Sequence, residues 1–260
     1  MALIAMAVYD TQENERASFT RATLRALANS AALMGHRFFV IDNASCEETK
    51  RLLQEKSASM DFTLITNNQN VGTARAINQA WEKRTPGEVC IKIDNDVVIK
   101  NDNWVEQMDQ VFQKMPRAGI VGLKRKDLEQ HPDHPNLFYK TDLSFMKREK
   151  GNPWTLLEKS EDIMGTCVAH SPKLLDAIGF YYQFGEVYGF EDALMSLRSR
   201  KAGFFNYFLP SIEIEHIDEG GLPYNKEKEE MAGRALAKYT SLAREYSSGR
   251  RPLYHGPQDL

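Results

Sequence analysis

The sequence has 260 residues, of which 42% are hydrophobic and 27% charged, and its formal net charge is −3. This is the composition of an ordinary globular protein, and the near balance of charge excludes a generally basic nucleic-acid coat protein. No apolar run approaches the ~20 residues that span a bilayer, and the apolar N-terminus lacks the basic region of a signal peptide. The three cysteines form no C-x-x-C pair, so they predict free thiols in the cytoplasm rather than a zinc site.

The first half of the chain alternates between strand and helix patterns. Short apolar segments predict strands at 3–8, 37–41, 62–66, 88–93 and 118–123. Helical spacing of apolar residues predicts helices at 18–34, 72–83 and 103–115, and Ser45 with Glu48 has the spacing of a capping box that begins another helix. This alternation predicts an α/β fold with a Rossmann-like, mostly parallel central sheet flanked by helices.

The second half begins with a long polar stretch. Residues 124–160 contain three prolines and no clear period, which predicts a long insertion that is partly loop. The regular pattern then returns, with strands expected at 163–169 and 212–217 and helices at 172–178, 191–202 and 225–247. The last residues, 247–260, are expected to form a flexible tail.

Polar side chains follow four successive predicted strands. The strand ends are Asp10 for the first strand, Asp42-Asn43 for the second, Asn67, Asn68 and Asn70 for the third, and Asp94-Asn95-Asp96 for the fourth. Each of these alone could be a helix cap or an Asx turn. Because the ligands of parallel sheets bind outside the carboxyl ends of the strands, the four together favour a polar ligand site at this edge.

Asp94 and Asp96 are the centre of this predicted site. Residues i and i+2 of an extended segment project the same way, so the two carboxylates can converge on one cation. Hard oxygen ligands suit Mg²⁺ or Mn²⁺, and these ions often complete their shell with phosphate oxygens of a substrate. The pair therefore predicts Mn²⁺ or Mg²⁺ bound together with a diphosphate leaving group.

The order of these motifs resembles the family 2 glycosyltransferases, which have the GT-A fold. The motifs that carry the resemblance are Asp42-Asn43-Ala44-Ser45, Asn70-Val71-Gly72 before a helix with Asn78, Asp94-Asn95-Asp96, and Glu191-Asp192 at a helix start. The resemblance implies one compact domain with a smaller acceptor-side portion. Its four parts are a nucleotide-sugar-binding half at 1–123, an insertion or acceptor loop region at 124–160, an acceptor-side catalytic half at 161–224, and a C-terminal helix and tail at 225–260.

The resemblance also implies roles for individual residues. Asp42 would bind the nucleotide base or ribose, and Asp10 would contact the nucleotide as well. Asp94 and Asp96 would hold the metal and the donor diphosphate, with His216 completing the metal site, and Asp192 would be the general base with Glu191 beside it. Further residues expected in the donor pocket are Asn70, Gly72, Arg75, Asn78 and Gly165. From the residues alone, Asn78 is open between bonding a buried backbone group and lining the pocket, Arg75 between solvent and the diphosphate, and Gly165 between close approach to a sugar and a simple bend. Taken by itself, Asp192 is also open as a helix N-terminal carboxylate, and His216 as a structural histidine.

The implied activity is a metal-dependent, inverting transfer of a sugar from a nucleotide sugar, expected to be a UDP-sugar, to an acceptor hydroxyl. The chain lacks the Q-x-x-R-W motif of processive synthases, so a single transfer is expected. The acceptor stays open between a glycan, a protein, a small molecule and a modified base in DNA, and so does the oligomeric state. Two alternatives are a nucleotidyltransferase acting on a sugar phosphate, disfavoured because residues 10–15 are acidic and lack glycine, and a non-catalytic nucleotide-sugar-binding module.

Overall fold

The computed structural model describes residues 1–125, 142–147, 154–185, 187–218 and 223–256. The strands of this part of the chain are Ala2–Val8 (β1), Arg37–Asp42 (β2), Thr63–Thr66 (β3), Val89–Ile93 (β4), Val97–Ile99 (β5), Ala118–Arg125 (β6), Asp142–Lys147 (β7), Trp154–Ser160 (β8), Cys167–His170 (β9) and Phe205–His216 (β10). The helices are Ala17–Ala28 (α1), Glu47–Met60 (α2), Thr73–Trp81 (α3), Trp104–Lys114 (α4), Pro172–Ile178 (α5), Glu191–Lys201 (α6) and Pro223–Ser247 (α7).

All of these strands belong to one sheet. Its order is β3-β2-β1-β4-β9-β6-β10-β8-β7, with β5 paired to β10. The strands β3, β2, β1 and β4 run parallel, as do β6 and β10. The strand β9 lies antiparallel between β4 and β6, and the hairpin β7–β8 extends the sheet beyond β10. The predicted α/β fold, with central parallel strands flanked by helices, is confirmed.

Two apolar layers cover the two faces of this sheet. Alternate residues of β1 enter different layers: Ile4 and Met6 pack in one, and Leu3 and Ala5 in the other. The first layer also contains buried residues of α1, α2 and α4, and the second contains those of α3, α5 and α6. A strand with both faces covered must be apolar along its whole length, which explains the uninterrupted apolar run at the start of the chain.

Several predicted boundaries in the first half are corrected. The helix predicted to reach residue 34 ends at Ala28, and a separate 3-10 turn follows at Ala31–Leu33. The predicted capping box is wrong, because α2 begins at Glu47 and has no side-chain cap. The Ser45 hydroxyl instead accepts the backbone N–H of Asp10 and donates to the Val8 carbonyl, joining the loops that follow β1 and β2.

The second half differs more from its pattern. Most of the predicted insertion lies outside the described residues, but its described part forms the unpredicted hairpin β7–β8. The strand expected at 163–169 begins only at Cys167, and β10 begins at Phe205, well before the expected residue 212. Irregular pairing of β10 with β6 between Phe208 and Glu213 accommodates the proline at 210, which cannot donate to a ladder.

The C-terminal segment is packed against the domain, contrary to the expectation of a flexible tail. His255 is 5% exposed, and the N–H of Phe180 donates to its carbonyl. The buried Arg198 guanidinium donates to the carbonyls of Ile178, Phe180 and Leu253, which ties this segment to the end of α5. The tail prediction still stands untested for 257–260, which lie outside the described residues.

Two expectations from composition can be compared with the structure directly. Cys46, Cys90 and Cys167 are all free thiols. Within the described ranges, none of the helices combines the length and apolarity that crossing a bilayer requires.

Candidate active site

A cavity of about 380 Å³ opens at the carboxyl ends of the parallel strands. One side is formed by residues that directly follow β1, β2 and β4, namely Tyr9, Asn43 and the segment Asp94-Asn95-Asp96. The start of α6 and the first turns of α7 also line the cavity. The volume is in the range of small-molecule sites, and its position is the one that strand topology predicts for a ligand.

The structure brings seven of the predicted site residues to this cavity and leaves five outside its lining. The seven are Asn70, Asp94, Asp96, Gly165, Glu191, Asp192 and His216. The five are Asp10, Asp42, Gly72, Arg75 and Asn78. The Asp94/Asp96 pair and the Glu191-Asp192 pair therefore line the same cavity. About a hundred residues separate the two pairs along the chain.

Asp10 and Asp42 are buried and do not line the cavity, and their expected contact with a nucleotide stays a prediction. The Asp10 carboxylate accepts hydrogen bonds from Thr20 at 2.6 Å, Thr49 at 3.2 Å and Asn95 at 3.1 Å, and burial raises its pKa. Asp42 accepts the backbone N–H of Ser45 at 2.8 Å. Asp10 thus ties the segment after β1 to α1, to α2 and to the loop that carries Asn95, whereas the bond of Asp42 lies within the loop after β2.

Three predicted residues at or within α3 do not line the cavity, although Thr73, the first residue of this helix, does. Asn78 uses both ends of its amide on the backbone of Tyr181, donating to the carbonyl at 2.9 Å and accepting the N–H at 3.2 Å. Gly72 has φ +87 and lies under the Gln183 amide, which a Cβ at this position would approach to 2.6 Å. Arg75 is exposed on α3. These three residues shape the fold around the pocket and do not line it in this structure.

A buried lysine that the motif analysis did not single out links the two halves of the site. The Lys92 ammonium on β4 lies 3.1 Å from Asp192 Oδ2, 3.3 Å from Asp94 Oδ1 and 3.2 Å from the Gly165 carbonyl. Burial opposes its charge, but Asp192 and Asp94 outweigh this and raise its pKa. One cation thus holds a carboxylate from each half of the chain in place.

Glycine at position 165 makes this close approach possible. A Cβ built there would lie 2.2 Å from Asp192 Oδ2 and 2.4 Å from Lys92 Nζ. Gly165 does not have a positive φ, so the requirement is space and not backbone conformation. The loop before β9 therefore packs directly on the Lys92–Asp192 pair because it carries no side chain at this point.

The two members of the Glu191-Asp192 pair have different environments. Glu191 accepts the N–H of Gly189 at 3.1 Å, and burial together with the charge of Asp192 raises its pKa to about 7. Asp192 Oδ2 is held by Lys92, while its Oδ1 is buried and has no hydrogen-bond partner among the described residues. Asp192 is consequently the member that is held by a cation and keeps one oxygen without a hydrogen bond from the described residues.

Asp96 lies in a second ion-pair network at the other end of the cavity. The Arg16 guanidinium donates to Asp96 Oδ2 and to Asp218 Oδ2, and His216 Nε2 lies 3.4 Å from Asp96 Oδ2. Burial opposes ionisation of Asp96, but the hydrogen bond from His216 and the charge of Arg16 hold its pKa well below the usual range. Burial also raises the pKa of Asp94, to about 6.

Asp94 and Asp96 fit a divalent cation. Asp96 Oδ1 is buried without a hydrogen-bond partner in the described part of the chain, and Asp94 lines the same cavity. Among the described residues, no group of three His, Cys, Asp or Glu side chains could hold a metal by itself. Mg²⁺-type sites commonly use one or two carboxylates and complete the shell with substrate phosphates, so two carboxylates suffice.

His216 is a less direct candidate ligand. Its Nδ1 lies 3.0 Å from Arg125 Nη2, and because a guanidinium only donates, Nδ1 must accept there. The proton is then on Nε2, which faces Asp96. Metal-bound histidines normally donate from their second nitrogen, so ligation by His216 would need Arg125 to release Nδ1, and it stays a prediction.

The chain is similar to known proteins in sequence and in fold. The family model described as "Glycosyl transferase family 2" matches residues 6–178. A curated relative, the uncharacterized protein y4gI of Sinorhizobium fredii (strain NBRC 101917 / NGR234), is 21% identical over 231 residues, which cover 82% of this chain and 24% of the relative. The chain thus spans about a quarter of the length of that relative.

Solved structures show the same fold. The mannosyltransferase PcManGT from Pyrobaculum calidifontis, in complex with GDP-Man and Mn²⁺, superposes with a TM-score of 0.67 at 14% identity, covering 94% of this chain and 64% of that one. GalNAc-T7 with UDP, GalNAc and Mn²⁺ gives 0.58 at 14% identity, over 83% of this chain and 43% of that one. S. aureus TarS 1–349 with UDP-GlcNAc gives 0.56 at 14% identity, over 85% and 61%. All three are structures with the GT-A fold.

Proposed function

The chain belongs to glycosyltransferase family 2, and on this premise we propose that it is a metal-dependent, inverting enzyme that makes a single sugar transfer from a nucleotide sugar to an acceptor hydroxyl. The observation that carries the proposal is the bridge between Asp94 and Asp192 through Lys92, at 3.3 and 3.1 Å. It sets a carboxylate with a free lone pair next to the carboxylates that fit a metal and a diphosphate. Residues from 1–123 form the donor side, and residues from 161–224 form the acceptor side.

Asp192 performs the proton transfer in this proposal. Its Oδ1 takes the proton of the acceptor hydroxyl while the acceptor oxygen attacks the anomeric carbon and the bond from that carbon to the diphosphate oxygen breaks. Attack from the side opposite the leaving group inverts the configuration. General base assistance of this kind contributes ~10²- to 10⁴-fold in rate.

Lys92 orients the base, and the Asp94/Asp96 pair receives the leaving group. By holding Asp192 Oδ2, Lys92 fixes the orientation of this carboxylate. A bound Mn²⁺ or Mg²⁺, held by Asp96 and Asp94, would neutralise the charge that develops on the departing diphosphate. The unpartnered Asp96 Oδ1 supports this arrangement.

The donor nucleotide proposed is UDP, with GDP as its competitor. UDP or UDP-GlcNAc is bound in the GalNAc-T7 and TarS structures, and GDP-Man in PcManGT. The acceptor is left open between a glycan, a protein, a small molecule and a base in DNA. Three free thiols support the cytoplasm as the compartment.

The test begins with a thermal-shift screen of UDP- and GDP-sugars in the presence of Mn²⁺. The best donor is then assayed for turnover, measured as nucleoside diphosphate released, in wild type, Asp192→Asn and Asp94→Ala. Asp176→Asn is the matched control, because Asp176 is an exposed carboxylate on α5. We expect Asp192→Asn to lose turnover ~10²-fold or more while it still binds UDP in calorimetry, and Asp94→Ala or excess chelator to abolish turnover.

Other outcomes would favour the alternatives. Full turnover in excess chelator or in Asp94→Ala contradicts a metal-dependent transfer. Release of pyrophosphate from a nucleoside triphosphate and a sugar phosphate indicates a nucleotidyltransferase. Binding of a nucleotide sugar with no turnover, not even to free sugar and nucleotide, indicates a non-catalytic module.

A further inference from the structure

The C-terminal helix α7 lies outside the segment matched by the family model, yet it forms part of the cavity wall. One face of the helix packs on the domain along its whole length. The residues of this face lie three or four positions apart in the sequence. Its members besides Lys228 are apolar or aromatic: Tyr224, Ala232, Ala235, Tyr239 and Leu242. Lys228 is therefore a charged residue at a position where the helix otherwise carries packing residues.

Lys228 is largely removed from solvent and only weakly paired. Its side chain is 21% exposed, and it lines the cavity. In the described part of the chain its one ion pair is with Asp218 Oδ2 at 4.0 Å, and that oxygen already accepts from Arg16. The rings of Tyr188 and Tyr224 lie 5.6 and 5.1 Å from the ammonium. Burial, together with the charge of Arg16, lowers its pKa.

The other cations of the cavity already have partners among the described residues, and Arg125 Nη2 lies 3.0 Å from His216 Nδ1. Lys92 is held between Asp94 and Asp192, and Arg16 between Asp96 and Asp218. An ammonium has three donors, and the contact of Lys228 at 4.0 Å is beyond hydrogen-bond length. Lys228 thus retains donors that the described protein groups do not satisfy.

Lys228 faces the part of the cavity where the leaving group is expected. Its ammonium lies 4.0 Å from Asp218 Oδ2, and Asp218 shares the Arg16 guanidinium with Asp96. An anion bound beside Asp94 and Asp96 would therefore share the cavity with the ammonium on α7. A diphosphate has the charge and the several acceptor oxygens that a bound cation and an ammonium can bind together.

We propose that Lys228, on α7, binds the diphosphate of the donor in the cavity that it shares with Asp94 and Asp96. This inference rests on the proposed function and extends it, because it assigns a donor-binding residue outside the segment that the family model matches. The C-terminal helix is then part of the donor site as well as of the core. Charge-assisted contacts of this kind favour the nucleoside diphosphate over the bare nucleoside.

The test compares Lys228→Met with Lys226→Met, which removes the same charge from an exposed position of the same helix. Methionine fits the apolar face of α7, so Lys228→Met should fold with an unchanged or raised unfolding temperature. Calorimetry with UDP and with GDP, in Mn²⁺, should show a loss of affinity of about tenfold or more in Lys228→Met. Lys226→Met should stay within about twofold of wild type, and Lys228→Arg should recover part of the loss.

The outcomes separate this inference from the proposed function. If wild type binds a nucleoside diphosphate and Lys228→Met binds it equally well, the role of Lys228 is wrong while the proposed function stands. If Lys228→Met binds weakly only because it is unfolded, its unfolding temperature falls, and the residue is structural. If wild type binds neither UDP nor GDP, both proposals are overturned.

Discussion

Gly165 offers the sharpest test of the geometry, because alanine there would disturb the base without straining the backbone. The added Cβ would lie 2.2 Å from Asp192 Oδ2 and 2.4 Å from Lys92 Nζ, whereas ordinary contacts begin at 3.4 Å. The carboxylate must therefore retreat by roughly 1.2 Å and the ammonium by roughly 1 Å. Both atoms are the ends of side chains, so they can move without displacing β4 or α6.

The expected result is a folded protein with a displaced base. A misplacement of ~1 Å costs about 10²-fold in rate, so Gly165→Ala should turn over the nucleotide sugar about a hundred times more slowly than wild type. UDP affinity should stay within about threefold, because the added methyl is directed at the Lys92–Asp192 pair and not at Asp96. The loss of stability should remain below the ~3–5 kcal/mol that breaking a buried ion pair costs.

The matched control is Gly233→Ala on α7, where a Cβ meets nothing within 4 Å. This variant should keep full turnover and gain about 0.5–1 kcal/mol of stability from its helical position. Turnover of Gly165→Ala within threefold of wild type would refute the claim that the position of Asp192 limits the reaction. Loss of the fold in Gly165→Ala would show that the loop before β9 serves stability instead.

Three further predictions concern buried charged and polar groups. Lys92→Met leaves Asp94 and Asp192 without their shared cation, so urea unfolding should show a loss of ~3–5 kcal/mol, and a loss below 1 kcal/mol would contradict the bridge. Burial lowers the pKa of His170 to about 3. Between pH ~6.5 and ~3 the unfolded chain therefore binds a proton that the native state does not. The free energy of unfolding should then fall by ~1.4 kcal/mol for each pH unit of acidification through this group. His170→Asn should remove that part of the slope in urea unfolding between pH 7.5 and 5, and an unchanged slope would show that the native imidazole is protonated. Arg198→Met leaves three carbonyls without their donor, so amide exchange in residues 250–256 should accelerate at least tenfold; unchanged protection would mean that Arg198 does not hold this segment.

The strand ends show how far the sequence alone can lead. Apolar runs and the polar residues that follow them predicted the strands and the edge of the sheet where the ligand site lies, because these signals are local. They could not show which polar side chains turn into the cavity. Asp10 and Asp94 both follow parallel strands, yet Asp10 is bound by Thr20, Thr49 and Asn95, whereas Asp94 lines the pocket.

Two cations were missed although the sequence carried a signal for each. Lys92 interrupts an otherwise apolar buried strand, and Lys228 interrupts an apolar face of a helix. A charge at such a position must find a partner when it is buried. Applying that rule to every predicted buried strand and every apolar helix face would have selected both residues, but it would not have identified their partners.

The local order of residues determined the α/β fold, the Asp94/Asp96 pair and the helix that begins with Glu191-Asp192, because hydrophobic period and helix boundaries depend on neighbours in the chain. Only the tertiary structure decided that Lys92 joins Asp94 to Asp192, that Glu191 and Asp192 differ, and that α7 closes the pocket with Lys228. Those properties arise from contacts between segments about 100 to 200 residues apart along the chain. They depend on burial and on unpaired lone pairs, which exist only once the chain has folded.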